Sequence, residues 1–528
     1  MLDIKKMANA GILLSHAKFY QRPSSFKRIL ENGQRVELLS LLSWLSFAHG
    51  QESVFRQWAL AELCKSEAQR KQHANFSVFS RLQCWRLWSV IFSEWEEITS
   101  THSYRPAREI IHEAFALLND RGDDTKEDPS HALIKAYTSN GRDNRVSKLR
   151  RAQHIFLDSE VLAPYIKAFE NSIGVPLKMY VNVIYYLIDH WHNVCSNRQS
   201  PPSISEWAIS AEWLSIRINT STDQIKSILK EISFSADQGK NFANATIDQP
   251  NEFLLYRETP LFEVAEGYFV PVEGKLLEEL LFENLLYRIH KANGEKSKFF
   301  SLFGREFEKY AQQYAFTFME NLPQYEVIEE FVFGDKQSQI LSPDVIISVP
   351  GKSALAVFEM KSARPLYSSL STESNQKALD DSIDKLYVAP LRQAFKAVQN
   401  ILRHEAHKSF SVDSRYTIVS VTMNNYPMSF MEFNVEDGYG NNLAPGLHSF
   451  DIETFEVLMH AARYPGQHNI LDMLLECYKR RYEMSAKTVI KRLIDQMKHQ
   501  GLRADNVYNK IQAKALERHR SYFQGFAI

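Results

Sequence analysis

The sequence predicts a multidomain, α-rich protein that carries one α/β domain, a mixed central sheet flanked by helices. Three observations lead there. Gly (19) stands at about half and Pro (18) at about two thirds of its usual share of a 528-residue chain, so turns are few and helices dominate. Apolar spacings of three and four fill the first two hundred residues, which is a helical period. Between residues 325 and 423 the pattern changes to short β-rich runs around one long helical stretch, the mark of a sheet layered with helices.

Length allows about three domains at roughly 100–200 residues each. Breaks in composition suggest four segments: a helical region over 1–200, a connecting module over 201–295, the α/β domain over 296–460 and a basic helical region over 461–528. With 62 Lys+Arg against 63 Asp+Glu, 44% hydrophobic and 24% charged residues, the chain is neither disordered nor a protein that coats nucleic acid by bulk charge. Cys64, Cys84, Cys195 and Cys477 form no CxxC pair, which argues against a disulfide scaffold and a zinc ribbon and fits a reducing cytosol. The first residues contain no apolar signal-like run, and Val36–Phe47 and Met179–Ile188 fall short of the roughly 18 residues a membrane span needs. The expectation is a soluble cytoplasmic protein.

In the helical region, Val36–Phe47 and Arg81–Ile98 read as helices rich in Leu, Phe and Trp. A polar stretch from Asn119 to Arg151 ends in Arg142, Arg145, Lys148, Arg150 and Arg151. This run is either a phosphate-binding strip or the solvated flank of a loop. Pro201-Pro202 ends the region, because proline cannot continue a helix. Ser205–Ile218 and Asp223–Ile232 follow as two short helices across a cap-rich turn, with extended segments at Phe253–Tyr256 and Tyr268–Val272. That order suits a winged helix-turn-helix that binds DNA, or any two-helix packing module.

Phe282–His290 and Phe303–Met319 are expected helices. Tyr325–Phe333, Asp344–Val349, Leu355–Lys361 and Tyr416–Met423 are expected strands, with helix over Gln376–His407 between the last two. The end of the chain, Tyr478–Phe523, is helical and holds twelve Lys/Arg against four acids.

The residues with chemical promise lie where two of these strands meet at Pro350-Gly-Lys-Ser353. Side chains alternate along a strand, so Glu359 and Lys361 share one face while Phe358 and Met360 take the other. If the strands pair across the turn, Asp344 comes near Glu359 and Lys361. Two carboxylates that repel one another are relieved by a hard divalent cation, and Mg²⁺ typically takes one or two carboxylates plus water and phosphate oxygens. A lysine beside such an ion orients water or stabilises developing negative charge.

Pro343-Asp344…Glu359-x-Lys361, with fourteen residues between the acids, resembles the signature of the PD-(D/E)xK nuclease superfamily, whose fold is restriction-endonuclease-like. The resemblance covers roughly residues 296–460. It implies that Asp344 and Glu359 hold Mg²⁺ or Mn²⁺ together with the Met360 carbonyl, and that Lys361 positions or activates water. Gly304-Arg-Glu-Phe-Glu308 matches the spacing at which some members place a further acid, so Glu308 joins the catalytic and metal set, with Glu306 ranked second. Gly304, Glu308, Ala311 and Ala315 also form one narrow helical stripe that suits close approach to a sheet. Gln393 is the weaker counterpart of a polar residue on a later helix, with Arg392 and Lys396 as phosphate contacts. Lys491 and Arg492 of the basic tail, and the Arg142–Arg151 run, would add salt-sensitive phosphate contacts.

The expected activity is metal-dependent endonucleolytic hydrolysis of DNA phosphodiesters, with RNA as the alternative substrate. A nuclease fused to a large helical region also resembles bacterial anti-phage defence and restriction proteins by layout. A homodimer, or a partner protein on the helical region, would fit that role. Two rival readings are a non-catalytic DNA-binding protein with an inert nuclease fold and a protein-interaction scaffold. Other motifs carry less. Pro350-Gly-Lys-Ser353 lacks the upstream glycine of a P-loop, having Ile346 there, and His190 and His192 point apart on a helix.

Overall fold

A computed structural model describes residues 13–47, 51–74, 76–97, 105–121, 144–196, 198, 200–249, 252–294, 298–335, 339–365, 376–426, 446–465 and 468–524. Its first layer is helical. Helices α1 (Arg35–Phe47), α2 (Arg81–Ser93) and α3 (Ala107–Arg121) pack through Leu38, Leu42 and Trp44, through Trp85, Trp88 and Phe92, and through Ile110, Ile111 and Phe115, all of them buried. Helix α1 is covered on nearly every side, which explains a sequence that is apolar almost all round. Helix α4 (Arg145–Arg151) begins at an Asn144 cap, whose side chain accepts from the Val146 and Ser147 amides, and continues into a turn of π-helix over Ala152–Leu157. Helix α5 (Leu177–Ser196) is long and largely buried, and it contains the apolar stretch Met179–Ile188.

The connecting module holds a four-stranded sheet of β1 (Ile209–Ser210), β2 (Ser233–Phe234), β3 (Leu261–Ala265) and β4 (Tyr268–Pro271), in the order β1-β4-β3-β2. Two helices, Ala211–Ile218 and Thr222–Glu231, turn at Asn219 in a left-handed conformation, as the cap-rich stretch suggests. Phe253–Tyr256 corrects the sequence expectation: it is not extended but enters a short helix, Leu254–Glu258. Burial decides this, since Phe253 packs edge-on against Trp85 at 5.2 Å and the Tyr256 hydroxyl meets Ser89 Oγ at 3.0 Å. The module is fused to α1, because Ser46 Oγ donates to the Val272 carbonyl at 2.5 Å and Gly274 lies against the Phe47 carbonyl, where a Cβ would come within 2.4 Å.

Helix α6 (Glu283–Ala292) and the 22-residue α7 (Lys298–Met319) lead into the main sheet. Its strands are β5 (Glu326–Glu329), β8 (Val345–Val349), β9 (Ala354–Lys361), β10 (Arg415–Thr422) and β11 (Leu447–Asp451), in the order β11-β10-β9-β8-β5. A separate two-stranded ribbon, β6 (Val332–Phe333) and β7 (Ile340–Leu341), lies between β5 and β8 in sequence. The β5–β8 and β8–β9 pairs are antiparallel, whereas β9–β10 and β10–β11 are parallel. A parallel pair needs a crossover. Here it contains a π-turn over Asp384–Val388 and helix α8 (Ala389–Arg403). Strand β11 has no counterpart among the sequence expectations; it is a five-residue edge strand defined by its partner.

Alternation gives the sheet two apolar faces. Val345, Ile347, Ala356, Phe358 and Met360 join the large core with α7 and with helix α9 (Ile452–Ala461), where Phe358 meets Phe455 at 5.3 Å. Ile346, Leu355, Val357 and Ile418 pack instead on Leu391, Ala394, Val398 and Ile401 of α8. Helices α10 (Ala486–His499) and α11 (Val507–Gln524) complete the chain. Helix α11 returns to the first segment, with Gln512 on Ser147, His519 on Asn182 and Arg518 on Asp158. One continuous apolar core runs from Phe26 to Met497, across the expected boundaries after residues 200, 295 and 460. Among the described residues no helix is long and apolar enough to cross a membrane.

The basic run before residue 151 requires a further correction. Arg142 lies outside the described residues. Arg145 pairs with Asp189, Lys148 donates to both oxygens of Glu283 at 2.9 Å, and Arg150 and Arg151 both reach Glu456 at 2.9 Å. Lys148, Arg150 and Arg151 are buried. Lys148, Arg150 and Arg151 are therefore neither a phosphate strip nor a solvated flank. They join the first helical layer to α6 and α9.

Candidate active site

The β8–β9 hairpin closes across the turn at Pro350–Lys352, with Val349 opposite Ala354 and Val345 opposite Phe358. Continuing that register brings Asp344 beside Glu359. Asp344 Oδ2 accepts the Met360 amide at 2.6 Å, which seals the end of the hairpin, and Lys361 Nζ donates to Glu359 Oε1 at 2.7 Å. The Glu359 side chain is 4% exposed, while that of Lys361 is 31% exposed. The lysine thus connects a buried acid to solvent.

Helix α7 straddles this hairpin end with three positions one turn apart. Gly304 sits where a Cβ would come within 3.3 Å of Ser362 Oγ at the exit of β9. Gln312 Nε2 donates to the Asp344 carbonyl at 3.1 Å, at the entry to β8. Glu308 lies between them and faces the cluster. Burial raises its pKa most, the Asp344 charge raises it further, and Lys361 and Arg305 oppose; the outcome is about 7. Glu306, two residues earlier, interacts instead with His154, away from the acids.

Asp344 and Glu359 are both held above the usual carboxylate range. For Glu359 burial is the main cause, followed by the Asp344 charge, with Lys361 in opposition. For Asp344 burial again leads; the Met360 amide and Lys361 oppose it and Glu330 adds to it. Burial alone would lower the lysine, but Glu359, Asp344 and Glu308 together raise it. Three acids therefore share one ammonium.

The neighbouring positions on β10 are Ser420, level with Glu359, and Thr422, level with Lys361. Both are committed elsewhere: Ser420 Oγ donates to the Leu386 carbonyl at 2.9 Å and Thr422 Oγ1 to the Asn424 carbonyl at 3.0 Å. Gln393, Arg392 and Lys396 are exposed on α8, away from its Leu391/Ala394/Val398/Ile401 face, and no described interaction joins them to the acids. Lys491 and Arg492 are likewise exposed, on the outer side of α10. Met360 contributes its amide to Asp344.

Two members of the cluster have no counterpart in the sequence reading. Gln312 follows Glu308 by one turn, a spacing that was readable. Glu330 follows the Glu329–Val345 pair and so comes level with Asp344; that depends on a pairing across sixteen residues, which no local pattern reveals.

Among the described residues no group of three or more His, Cys, Asp or Glu is arranged as a ready metal cage. The donor set still suits a hard cation, since it is all oxygen, carries surplus negative charge, and Mg²⁺ needs only one or two carboxylates. Compared with known proteins, the chain matches no family model, no curated protein and no solved structure. The nuclease resemblance consequently rests on its own residues and their geometry.

Proposed function

We propose that this protein is a metal-dependent endonuclease that hydrolyses DNA phosphodiester bonds. The observation that carries the reading is the convergence of Asp344, Glu359, Glu308 and Lys361 at one end of an antiparallel hairpin. A helix precedes that hairpin and a parallel β9–α8–β10 crossover follows it. Asp344 and Glu359 would hold Mg²⁺ or Mn²⁺, with Glu308 and the Met360 carbonyl completing the set. The bound ion supplies Lewis acidity toward a phosphoryl oxygen and lowers the pKa of water.

The chain's own groups account for the rest. Burial and mutual repulsion leave the acids short of positive charge, so a cation relieves a cost already present in the fold. Lys361, with its stem along the strand and its head partly exposed, donates toward the place where negative charge accumulates on the phosphate. Phosphates are what this site recognises, so RNA remains the alternative substrate.

The test is cleavage of linear, supercoiled and single-stranded DNA, and of RNA, with Mg²⁺ or Mn²⁺. Wild type is expected to cut, and Asp344→Ala and Lys361→Ala to lose at least ~100-fold in rate, as when one transition-state donor is removed. DNA binding that ignores the metal and survives Asp344→Ala would instead identify an inert fold used for binding.

A further inference from the structure

Three residues beyond Lys361, the chain leaves β9 through Arg364-Pro365. This exit is anchored at two points. Ser362 lies against Gly304, and the Ala363 carbonyl accepts the Met423 amide at 3.0 Å from the end of the neighbouring strand. From this shelf Arg364 sits over the ring of Tyr287 of α6, its Cζ 3.2 Å from the ring centre.

Among the described residues Arg364 has no carboxylate at ion-pair distance. The acids whose charge it feels are committed elsewhere: Glu279 pairs with Arg257 at 3.6 Å, and Glu283 takes both bonds from Lys148. Burial accordingly holds the guanidinium below the usual arginine range, an effect that Tyr287, Glu279 and Glu283 only partly offset. A half-buried cation with no carboxylate at ion-pair distance carries a cost in a folded protein. A guanidinium held over a ring keeps N–H donors at its edge, in a fork that matches two phosphate oxygens.

We propose that Arg364 binds a backbone phosphate of the nucleic acid, flanking the phosphate that is cut. This rests on the nuclease reading of the Asp344–Lys361 site. Three extended residues span ~10 Å, and a DNA strand rises ~3.4 Å per nucleotide, so the contact falls within about three nucleotides of the scissile bond. Tyr287 acts as the platform that fixes the fork.

Binding of a labelled duplex is measured for the full chain and Arg364→Gln over a salt series, with Ca²⁺ in place of Mg²⁺. Arg364→Gln is expected to bind roughly 10-fold more weakly, the loss of one charge-assisted contact. Its log K against log salt slope should be shallower by about 0.9. A single neutral methylphosphonate within about three nucleotides of the cut should weaken wild-type binding by a similar factor and leave Arg364→Gln unaffected. Unchanged affinity and salt slope in Arg364→Gln, with wild type still cutting, would overturn the phosphate contact alone and leave Arg364 as a packing group. Wild type that neither binds nor cuts would overturn the nuclease reading along with it. Should Arg364→Gln fail to fold, the methylphosphonate scan on wild type decides, and the absence of any sensitive position in that window refutes the proposal.

Discussion

Two buried clusters of charge lie on opposite sides of β9, and they are balanced in opposite ways. Behind the sheet, Arg150 and Arg151 converge on Glu456, and the Tyr310 hydroxyl donates to the same carboxylate at 2.6 Å. Burial alone would raise Glu456, yet the two guanidiniums outweigh it and bring its pKa down to about 2. At the end of the hairpin, Asp344, Glu359 and Glu308 share Lys361, and all three acids are raised. The first cluster finds its counter-charge within the protein and ties α4 to α9, although Arg150 Nη1 and Nη2 make no hydrogen bond. The second is left short of positive charge, as expected of a site whose missing partner comes from outside.

The largest expected effect comes from breaking the cluster behind the sheet. Glu456→Gln leaves two buried guanidiniums without a counter-charge, which should cost about 3–5 kcal/mol of stability. Urea unfolding measures the loss, and cleavage per folded molecule should be unchanged. A loss under 1 kcal/mol would show that the arginines find another partner.

The hairpin cluster should respond in the reverse sense. Glu359→Gln keeps an acceptor for Lys361 and removes a repelling charge, so cleavage should fall at least ~100-fold while metal-free thermal stability holds or rises. A large fall in stability would make Glu359 a structural ion-pair partner and weaken the case for a site.

The smallest effect, and the sharpest contrast, is in pH. Glu308 has a folded pKa of about 7, above the ordinary 4.5 of a glutamate, so the folded state binds more protons between the two values. Its contribution to metal-free stability therefore falls as pH rises across that window, and Glu308→Gln should remove that slope. Glu456 has a depressed pKa, so its contribution is present above about 4.5 and is lost as pH falls toward about 2. Because ligand carboxylates must ionise, Mg²⁺ should raise Tm more at about pH 8 than at about pH 6. Equal gains at both would argue against ligation by the raised acids.

The sequence by itself determined what local pattern can carry. Alternation in Asp344–Val349 and Leu355–Lys361, with a turn between them, was enough to expect the hairpin and to set Asp344 beside Glu359 and Lys361. The Gly304–Glu308 spacing was enough to expect an acid on the preceding helix. These follow from periods of 2 and 3.6, which a few consecutive residues express. Only the tertiary structure decided where long-range partners fall. Five basic side chains between Arg142 and Arg151 look the same whether they meet phosphate, water or carboxylate; Glu283 and Glu456, more than a hundred residues away, settle it for Lys148, Arg150 and Arg151. The same holds for Leu254–Glu258, helical because of Trp85 and Ser89, for β11, defined by β10, and for Glu330, brought level with Asp344 by the β5–β8 register. A side chain's charge and its strand or helix position are properties of its own segment. Which charge it meets depends on how distant segments pack.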